Sequence, residues 1–273
     1  MSVITLTSDF GNKGYQVPAI KGSIVSLNPD AKVIDISHQI DPHNLLEAAH
    51  IVRNSYHFFP KGSVHIISVD SFYHKERKNI VAKIDGHYFI CADNGLISLL
   101  FHHIKPEAIY HITLNNRFDD VVNFASVDIF APCAVHLQRG GLPELIGKKI
   151  DHIKELMTPQ VIINKNRIVG NIVYITHFGD VVTNISRSIF EEKSKQYNSF
   201  TIRVRFEKFN KIHQHYTDIV THWEKESKYH GNSGFFFNQE GYLTFYVYKG
   251  SANNGAKTLF NLSVKDKMVI EFQ

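Results

Sequence analysis

Residues 4–11 read ITLTSDFG, and this stretch decides which fold the chain can adopt. Apolar and β-branched residues run from Val3 and then give way to a serine, an acid, an aromatic residue and a glycine. Such a run predicts a buried strand that ends in a polar loop, with a helical segment from about Tyr15. Because ligands of open α/β sheets bind at the carboxyl ends of strands, Asp9 is a candidate ligand-binding residue. A structural role, as the cap of the next helix or as part of a turn, would also account for an acid at this position.

The composition excludes several classes of function. With 273 residues, of which 43% are hydrophobic and 21% charged, the chain can form one large domain or two smaller ones with a packed core. The net charge is +4 and the basic residues are scattered, so we expect no nucleic-acid partner. Apolar stretches fall short of the ~20 residues that a membrane span needs, and we expect no membrane partner. The amino terminus shows no signal-peptide pattern.

The cysteines and histidines predict neither a disulfide framework nor a metal site. Cys91 and Cys133 lie in apolar settings, as core cysteines do, so a reducing cytoplasm is the expected location. The 17 histidines are dispersed, without the spacing of a zinc motif. The closest histidine pairs are His102-His103 and His213-x-His215. Surface positions explain these pairs better than metal binding does, and we expect no metal.

Two regions with different patterns follow one another along the chain. Residues 1–155 alternate strand and helix signals, which predicts an N-terminal α/β domain with a layered, mostly parallel sheet. Within it, Asp41-Pro42 predicts the start of a helix, with the acid as N-cap. Residues 160–273 carry short strand signals between turns and predict a small antiparallel β-barrel. The polar segment 206–232 fits neither pattern and is interpreted as an excursion out of the barrel.

Acids follow three of the predicted strands, and one of them opens a loop that ends in an arginine. These acids are Asp9, Asp70 and Asp93. Asp70 and Arg77 lie at the two ends of one loop, so their carboxylate and guanidinium can pair across it. Such a pair can orient a water or a substrate, or it can be a salt bridge that only closes the loop.

Seven motifs, in a fixed order, give the chain a strong resemblance to a known family. They are ITLTSDFG from Ile4, VIDISHQIDPHNLLEAA from Val33, FFPKGSVHIISVD from Phe58, DNGLISLL from Asp93, DIFAPCAVHL from Asp128, FGDVVTNIS from Phe178 and EGYLTFYVYKGSANNGAKTLFNLSVKDKMVI from Glu240. Together they resemble the S-adenosylmethionine (SAM) hydrolase family, also called SAM hydroxide adenosyltransferases. Fluorinase and chlorinase are its halogenating relatives. The resemblance covers nearly the whole chain apart from residues 206–232.

The resemblance implies what the protein binds and how it assembles. SAM or adenosine would be the ligand, without a cofactor or a metal. The family forms homotrimers, with the nucleoside site between the N-terminal domain of one subunit and the C-terminal domain of its neighbour. Asp9 matches the aspartate that holds the ribose hydroxyls. Phe178 matches the aromatic residue that packs on the adenine, although a place in the barrel core would explain it as well. Asp180 stands where the family has an asparagine at the base edge.

The resemblance also implies a reaction. In the family's hydrolases, water attacks the 5′ carbon of SAM and methionine leaves, and an Asp-Arg-His set positions the water. Asp70 and Arg77 match the first two members of this set. The halogenating relatives carry tyrosine at the Asp70 position, which argues against halide chemistry. Ala125 occupies the place of the histidine, and Ser126 beside it is expected to contact the substrate.

Three interpretations of this altered motif stay open. The first is a SAM hydrolase with rearranged chemistry, in which His74 or Tyr73 replaces the missing histidine. Because loss of an acid–base group costs about 10²–10⁴-fold in rate, this enzyme is expected to be slow. The second is a SAM- or adenosine-binding protein without catalytic activity. The third, less favoured, is an enzyme that acts on a different nucleoside.

Overall fold

The chain forms two compact units, Met1–Thr158 and Pro159–Gln273. The computed structural model describes residues 2–101, 104–114 and 122–273. The predicted fold class is confirmed, because the first unit contains a mixed, mostly parallel sheet between helices and the second an antiparallel, nearly closed barrel.

Within the described residues, the sheet of the first unit has seven strands. They are β1 (Ile4–Ser8), β2 (Val33–Ser37), β3 (Val64–Ser68), β4 (Asn79–Ile84), β5 (His87–Ala92), β6 (Ala108–Ile112) and β7 (Gly147–Lys149). Their spatial order is β2-β1-β3-β5-β4-β6-β7, and the first four of these strands pair in parallel. The strands β1 and β3 are buried along their whole length, which explains why their sequences do not alternate with polar residues.

Helices cover both faces of this sheet. They are α1 (Gln16–Leu27), α2 (Leu45–Arg53), α3 (Leu96–Leu100) and α4 (Ala131–Gln138), and one turn of π-helix, Ser126–Phe130, leads into α4. Neighbouring residues of β3 point to opposite faces: Ile66 packs with Ile24 of α1, and Ile67 packs with Val52 of α2. The result is the layered arrangement that the alternating strand and helix signals predict.

The start of α2 differs from the prediction. The N-cap is Asn44, whose side-chain oxygen accepts the N–H of Glu47 at 3.2 Å. Glu47 in turn accepts the N–H of Asp41 at 2.9 Å. Asp41 and Pro42 therefore belong to the preceding loop, because His43 has φ +62° and interrupts the helical path between them and the helix.

The second unit is an antiparallel sheet that curls toward closure. Its strands are β8 (Ile162–Ile163), β9 (Arg167–Ile175), β10 (Val181–Ser186), β11 (Phe200–Val204), β12 (Glu207–Phe209), β13 (Ser233–Phe237), β14 (Tyr242–Val247) and β15 (Lys267–Phe272). Two helices accompany them, α5 (Arg187–Ser194) and α6 (Ala256–Leu259). The order is β12-β11-β15-β9-β10-β14-β13, with β8 beside β9. Ser233 of the last strand donates to Glu207 of the first at 3.3 Å, which brings the two ends of the sheet together.

The segment 206–232 is folded against the barrel and is not a loose excursion. After β12 it forms two stretches of 3-10 helix, Tyr216–Ile219 and Trp223–Tyr229. The Tyr216 ring lies 4.8 Å from that of Tyr246. Residues of β14 alternate in direction, so Tyr246 lies on the face opposite to the core residues Phe245 and Val247. The segment thus covers the outer face of β14.

Both cysteines lie in the core as free thiols. Cys91 and Cys133 are buried and unpaired, and burial raises the pKa of both thiols, to about 12 for Cys133. None of the helices in the described residues is long and apolar enough to cross a membrane.

A chain of buried polar groups crosses three parallel strands. Nδ1 of His65 in β3 lies 2.7 Å from the Thr5 hydroxyl in β1, and Nε2 lies 3.1 Å from Nδ1 of His87 in β5. The His65 ring also stacks on Phe89 at 4.8 Å. Burial lowers the pKa of His65 to about 3 and lowers that of His87 as well. Both rings are therefore neutral in the folded protein at neutral pH.

These histidines should make the first unit less stable in mild acid. A histidine of the unfolded chain, with a pKa of about 6.5, binds a proton that the folded His65 excludes, so the free energy of unfolding decreases as the pH falls below about 6.5. One such residue contributes a loss of about 2 kcal/mol between pH 7 and pH 5. His65→Phe should remove that part of the decrease in urea unfolding experiments. The exposed His57 provides the control variant His57→Phe. An identical pH dependence in all three proteins would contradict this assignment.

Candidate functional site

Three loops meet at the carboxyl ends of β1, β2 and β3, and one carboxylate joins them. Asp9 follows β1, His43 lies between β2 and α2, and Asp70 follows β3. Oδ2 of Asp9 accepts the backbone N–H of His43 at 3.0 Å and that of Asp70 at 3.1 Å. Because the three strands are parallel neighbours, this edge is where an open α/β sheet places its ligand.

The two residues that donate to Asp9 both have left-handed backbone conformations. φ is +62° at His43 and +44° at Asp70. A residue with a Cβ atom in this region costs of order 1–3 kcal/mol and persists only where its surroundings hold it. The hydrogen bonds to Asp9 stabilise both of these backbone conformations. Strained residues of this kind cluster at binding and catalytic sites, which makes this edge the leading candidate site.

The loop that carries Asp9 is itself fixed to the loop after β2. The N–H of Gly11 donates to the carbonyl of His38 at 2.8 Å, and the Ser8 hydroxyl lies 2.7 Å from Nδ1 of the buried His38. The residue at the N-cap position of α1 is Tyr15, so Asp9 does not cap that helix. Asp9 therefore bridges loops, and the helix-cap explanation of this acid does not hold.

Asp70 and Arg77 meet across their loop, as the sequence predicts. The Arg77 guanidinium donates to the Asp70 carbonyl at 2.6 Å and lies 3.5 Å from its carboxylate atom Oδ2. Both side chains are 29% exposed. Asn94, in the loop after β5, also donates to the Asp70 carbonyl, at 3.2 Å. The pair is thus accessible from solvent but held on its inner side, and its catalytic role stays a prediction.

His43 is the site residue that sequence reasoning missed. Its Nδ1 lies 3.2 Å from Oδ1 of Asp70, and its ring lies 5.9 Å from the ring of Phe72. The only sequence signal is a histidine directly after Asp41-Pro42, in a stretch that the N-cap prediction assigned to a helix. With the helix start corrected to Asn44, that signal would have placed His43 in the loop.

His74 lies elsewhere in the loop that it shares with Asp70. Its side chain is exposed, and Nδ1 accepts the N–H of Glu76 at 3.2 Å. Its carbonyl accepts the N–H of Arg77 at 3.0 Å. These bonds close a turn. Over the residues that the structure describes, no hydrogen bond or ion pair joins the His74 ring to Asp70. Its proposed replacement of the family histidine stays a prediction.

The region of the missing histidine is packed core. Ala125 is 2% exposed and joins the hydrophobic cluster between the sheet, α1 and α4. The Ser126 hydroxyl, fully buried, donates to the Ser68 hydroxyl at the end of β3, with a distance of 2.8 Å. Contact of Ser126 with a substrate stays a prediction, and its hydroxyl already has a protein partner.

In the second unit, the Phe178-Gly179-Asp180 turn presents one aromatic ring to solvent. Phe178 is 64% exposed, so it is not part of the barrel core and its ring is accessible to a ligand. Gly179 has φ +77°, and a Cβ atom there would approach the Ser251 carbonyl oxygen to 2.7 Å. Only glycine satisfies both conditions, which keeps this turn tight.

Asp180 is buried and incompletely paired. Burial raises its pKa to about 6, against smaller opposing effects of the Val247 N–H and the Thr176 hydroxyl. Within the described part of the chain, Oδ1 is buried without a hydrogen-bond partner. A carboxyl in this setting takes up a proton more readily than an exposed one and then carries both a donor and an acceptor.

The described residues contain no group of three or more histidine, cysteine or acidic side chains placed to hold a metal ion. The pair His102-His103 lies outside the described residues. His213 faces the Tyr246 hydroxyl at 3.2 Å, and the backbone of His215 begins a 3-10 turn, so each has a structural role.

Comparison with known proteins gives consistent matches over most of the chain. Residues 4–147 match the model of the SAM hydroxide adenosyltransferase N-terminal domain, and residues 170–269 match that of the C-terminal domain. A protein of Methanocaldococcus jannaschii named (R)-S-adenosyl-L-methionine hydrolase is 32% identical over 211 residues, 75% of this chain and 74% of the relative. A fluorinase of Actinopolyspora mzabensis is 24% identical over 230 residues, 72% and 76% of the two chains. The crystal structure of an uncharacterized conserved protein from Thermotoga maritima superposes with a TM-score of 0.85 at 26% identity, covering 98% of this chain and 99% of that one.

Removal of the Asp9 carboxylate should destabilise the first unit. Asp9→Ala deprives two backbone N–H groups of a charged acceptor, and we expect a loss of about 1–3 kcal/mol in the free energy of unfolding. Urea unfolding followed by circular dichroism measures this loss. Asp30→Ala, which removes an exposed acid in the same unit, is the matched control. Equal stabilities of the two variants would show that Asp9 does not hold the loops.

Proposed function

Since the chain belongs to the SAM hydroxide adenosyltransferase family, we propose that it hydrolyses S-adenosylmethionine to adenosine and methionine. The observation that carries the proposal is the convergence of Asp9, Asp70 and Arg77 at the carboxyl edge of the parallel strands. The name of the 32% identical relative, (R)-S-adenosyl-L-methionine hydrolase, supports the same reaction.

Asp9 is the proposed ribose-binding residue. Its Oδ2 is occupied by two backbone N–H groups, whereas no hydrogen bond from a described residue reaches Oδ1. A carboxylate oxygen has two lone pairs and can accept from both vicinal hydroxyls of a ribose. One side chain would then hold the loops and bind the sugar. Binding of the ligand would in turn stabilise the loop arrangement.

Phe178 and Asp180 are the proposed adenine-binding residues. An exposed aromatic ring on a tight turn can stack on a purine, which contributes about 1–3 kcal/mol per base. Asp180, with its pKa raised to about 6, can offer a protonated carboxyl. A carboxylic acid presents one donor and one acceptor, as the carboxamide of the family's asparagine does. The proposal therefore includes weaker adenine binding above pH 6, where Asp180 loses its proton.

The proposed reaction requires no cofactor and no metal. The water oxygen forms a bond to the 5′ carbon while the bond from that carbon to sulfur breaks. The bonding electron pair goes to sulfur, methionine leaves as a neutral thioether, and one proton is released from the water. The positive sulfur is already a good leaving group, so the protein's task is to hold water in line and to receive its proton. Asp70, fixed by Arg77, is the proposed group for both tasks.

A second candidate function is SAM or adenosine binding without catalysis. The observation in its favour is the packed environment of Ala125, where no imidazole remains to assist Asp70. An enzyme acting on a different nucleoside is a third, weaker alternative. A homotrimer and a cytoplasmic location complete the proposal. Light scattering of the purified protein tests the trimer, and a single chain mass would contradict it.

Incubation of the purified protein with SAM separates the first two candidates. We expect adenosine and methionine in equal amounts by chromatography. Asp70→Asn should lower kcat by about 10²–10⁴-fold, since an amide cannot receive the proton. Asp30→Asn, at an exposed position, is the matched control. Measurable SAM binding with no product above the buffer rate would establish the binding protein and refute the enzyme.

A further inference from the structure

The carboxylate of Asp70 is approached from two sides. Oδ2 lies 3.5 Å from the Arg77 guanidinium, and Oδ1 lies 3.2 Å from Nδ1 of His43. The two partners come from different loops, one following β3 and the other preceding α2. A carboxylate with one cationic partner can still rotate about its own side chain, whereas partners on both oxygens fix its plane.

The position of His43 relative to Asp70 is set by their backbones. Both residues donate their N–H groups to the same Asp9 oxygen, at 3.0 and 3.1 Å. This shared acceptor fixes the position of one backbone relative to the other. The left-handed φ of +62° at His43 directs the chain so that α2 can begin immediately afterwards, at Leu45. The contact between the two side chains thus follows from a backbone arrangement and is not a chance encounter of surface groups.

We propose that His43 is the positioning residue for Asp70, and that it takes over the part of the histidine replaced by Ala125. The proposal rests on the proposed SAM hydrolysis and specifies how its base is oriented. In the neutral ring, Nδ1 carries the proton and donates to Oδ1 of Asp70, and Nε2 is the unprotonated nitrogen. Asp70 is thereby held with one oxygen toward His43 and the other toward Arg77.

His74 is the competing candidate, but among the described residues it has no hydrogen bond or ion pair with Asp70. Its ring is exposed and its Nδ1 accepts from the Glu76 N–H, within the same turn. Phe72 also lies between the two histidines in sequence and packs near His43, with ring centroids 5.9 Å apart. Among the described residues, the ionisable side chains that contact Asp70 through a hydrogen bond or ion pair are those of His43 and Arg77 and, through the Asp70 backbone N–H, that of Asp9.

The hydrogen bond can be tested without any turnover. Long-range proton–nitrogen NMR of the histidine rings, at a pH where His43 is neutral, reports which ring nitrogen carries the proton. We expect the Nδ1–H tautomer for His43 in the unmodified protein, and loss of that preference in Asp70→Ala. A neutral His43 protonated at Nε2 would overturn the proposal, whether or not the protein hydrolyses SAM.

Kinetics with SAM then test the positioning role. His43→Phe keeps an aromatic ring but loses the donor, and we expect kcat to fall about 10²-fold while KM changes little, because a misplaced base affects the chemical step. His43→Asn places a side-chain N–H near the position of Nδ1 and tolerates the left-handed backbone, so it should recover most of that loss. His57→Phe, at an exposed position outside the site, is the control and should match the unmodified protein.

The outcomes separate this proposal from the reaction on which it rests. Product formation with undiminished kcat in His43→Phe, or a loss in His74→Phe instead, refutes the role of His43 and leaves SAM hydrolysis intact. Equal losses in His43→Phe and His43→Asn would show that a side-chain N–H at this position does not restore the rate, which also refutes the role. No product from the unmodified protein removes the reaction, and the positioning role with it, even if the tautomer is as expected.

Discussion

The site depends on one carboxylate oxygen, Oδ2 of Asp9, which accepts two backbone N–H groups from two other loops. Both donating residues, His43 and Asp70, have left-handed backbones that would not persist on their own. Asp9 offsets that strain and fixes the loops after β1, β2 and β3 in one arrangement. The side chains of His43, Asp70 and Arg77 meet because their backbones are held in this way.

The fold could be predicted from the sequence because its signals are local. The buried run of residues 4–8 and the alternation of strands and helices identify the parallel sheet, and short strands between turns identify the barrel. The contact between Asp70 and Arg77 was also predictable, since one short loop carries both residues. The start of α2 was not, because Asp41 and Asn44 are both good caps and only the backbone of His43 decides between them.

The contact between His43 and Asp70 could not be predicted from either loop alone. It requires two separate loops to be held by Asp9, which is a long-range interaction without a periodic signal in the sequence. The packing of the segment 206–232 could not be predicted either. Its composition is polar, and the contact of Tyr216 with the outer face of β14 joins residues far apart in the sequence. Ala125, by contrast, was a visible change in a motif. The structure adds that Ala125 is buried in the hydrophobic core.

In the proposed reaction, water attacks the 5′ carbon of SAM at the edge organised by Asp9. Reaction of the protein with SAM in water enriched in oxygen-18, followed by mass spectrometry of the adenosine, shows whether the 5′ oxygen comes from water. We expect adenosine that carries one heavy oxygen, located at the 5′ position. Adenosine without the label, or SAM that is bound and recovered intact, would contradict it.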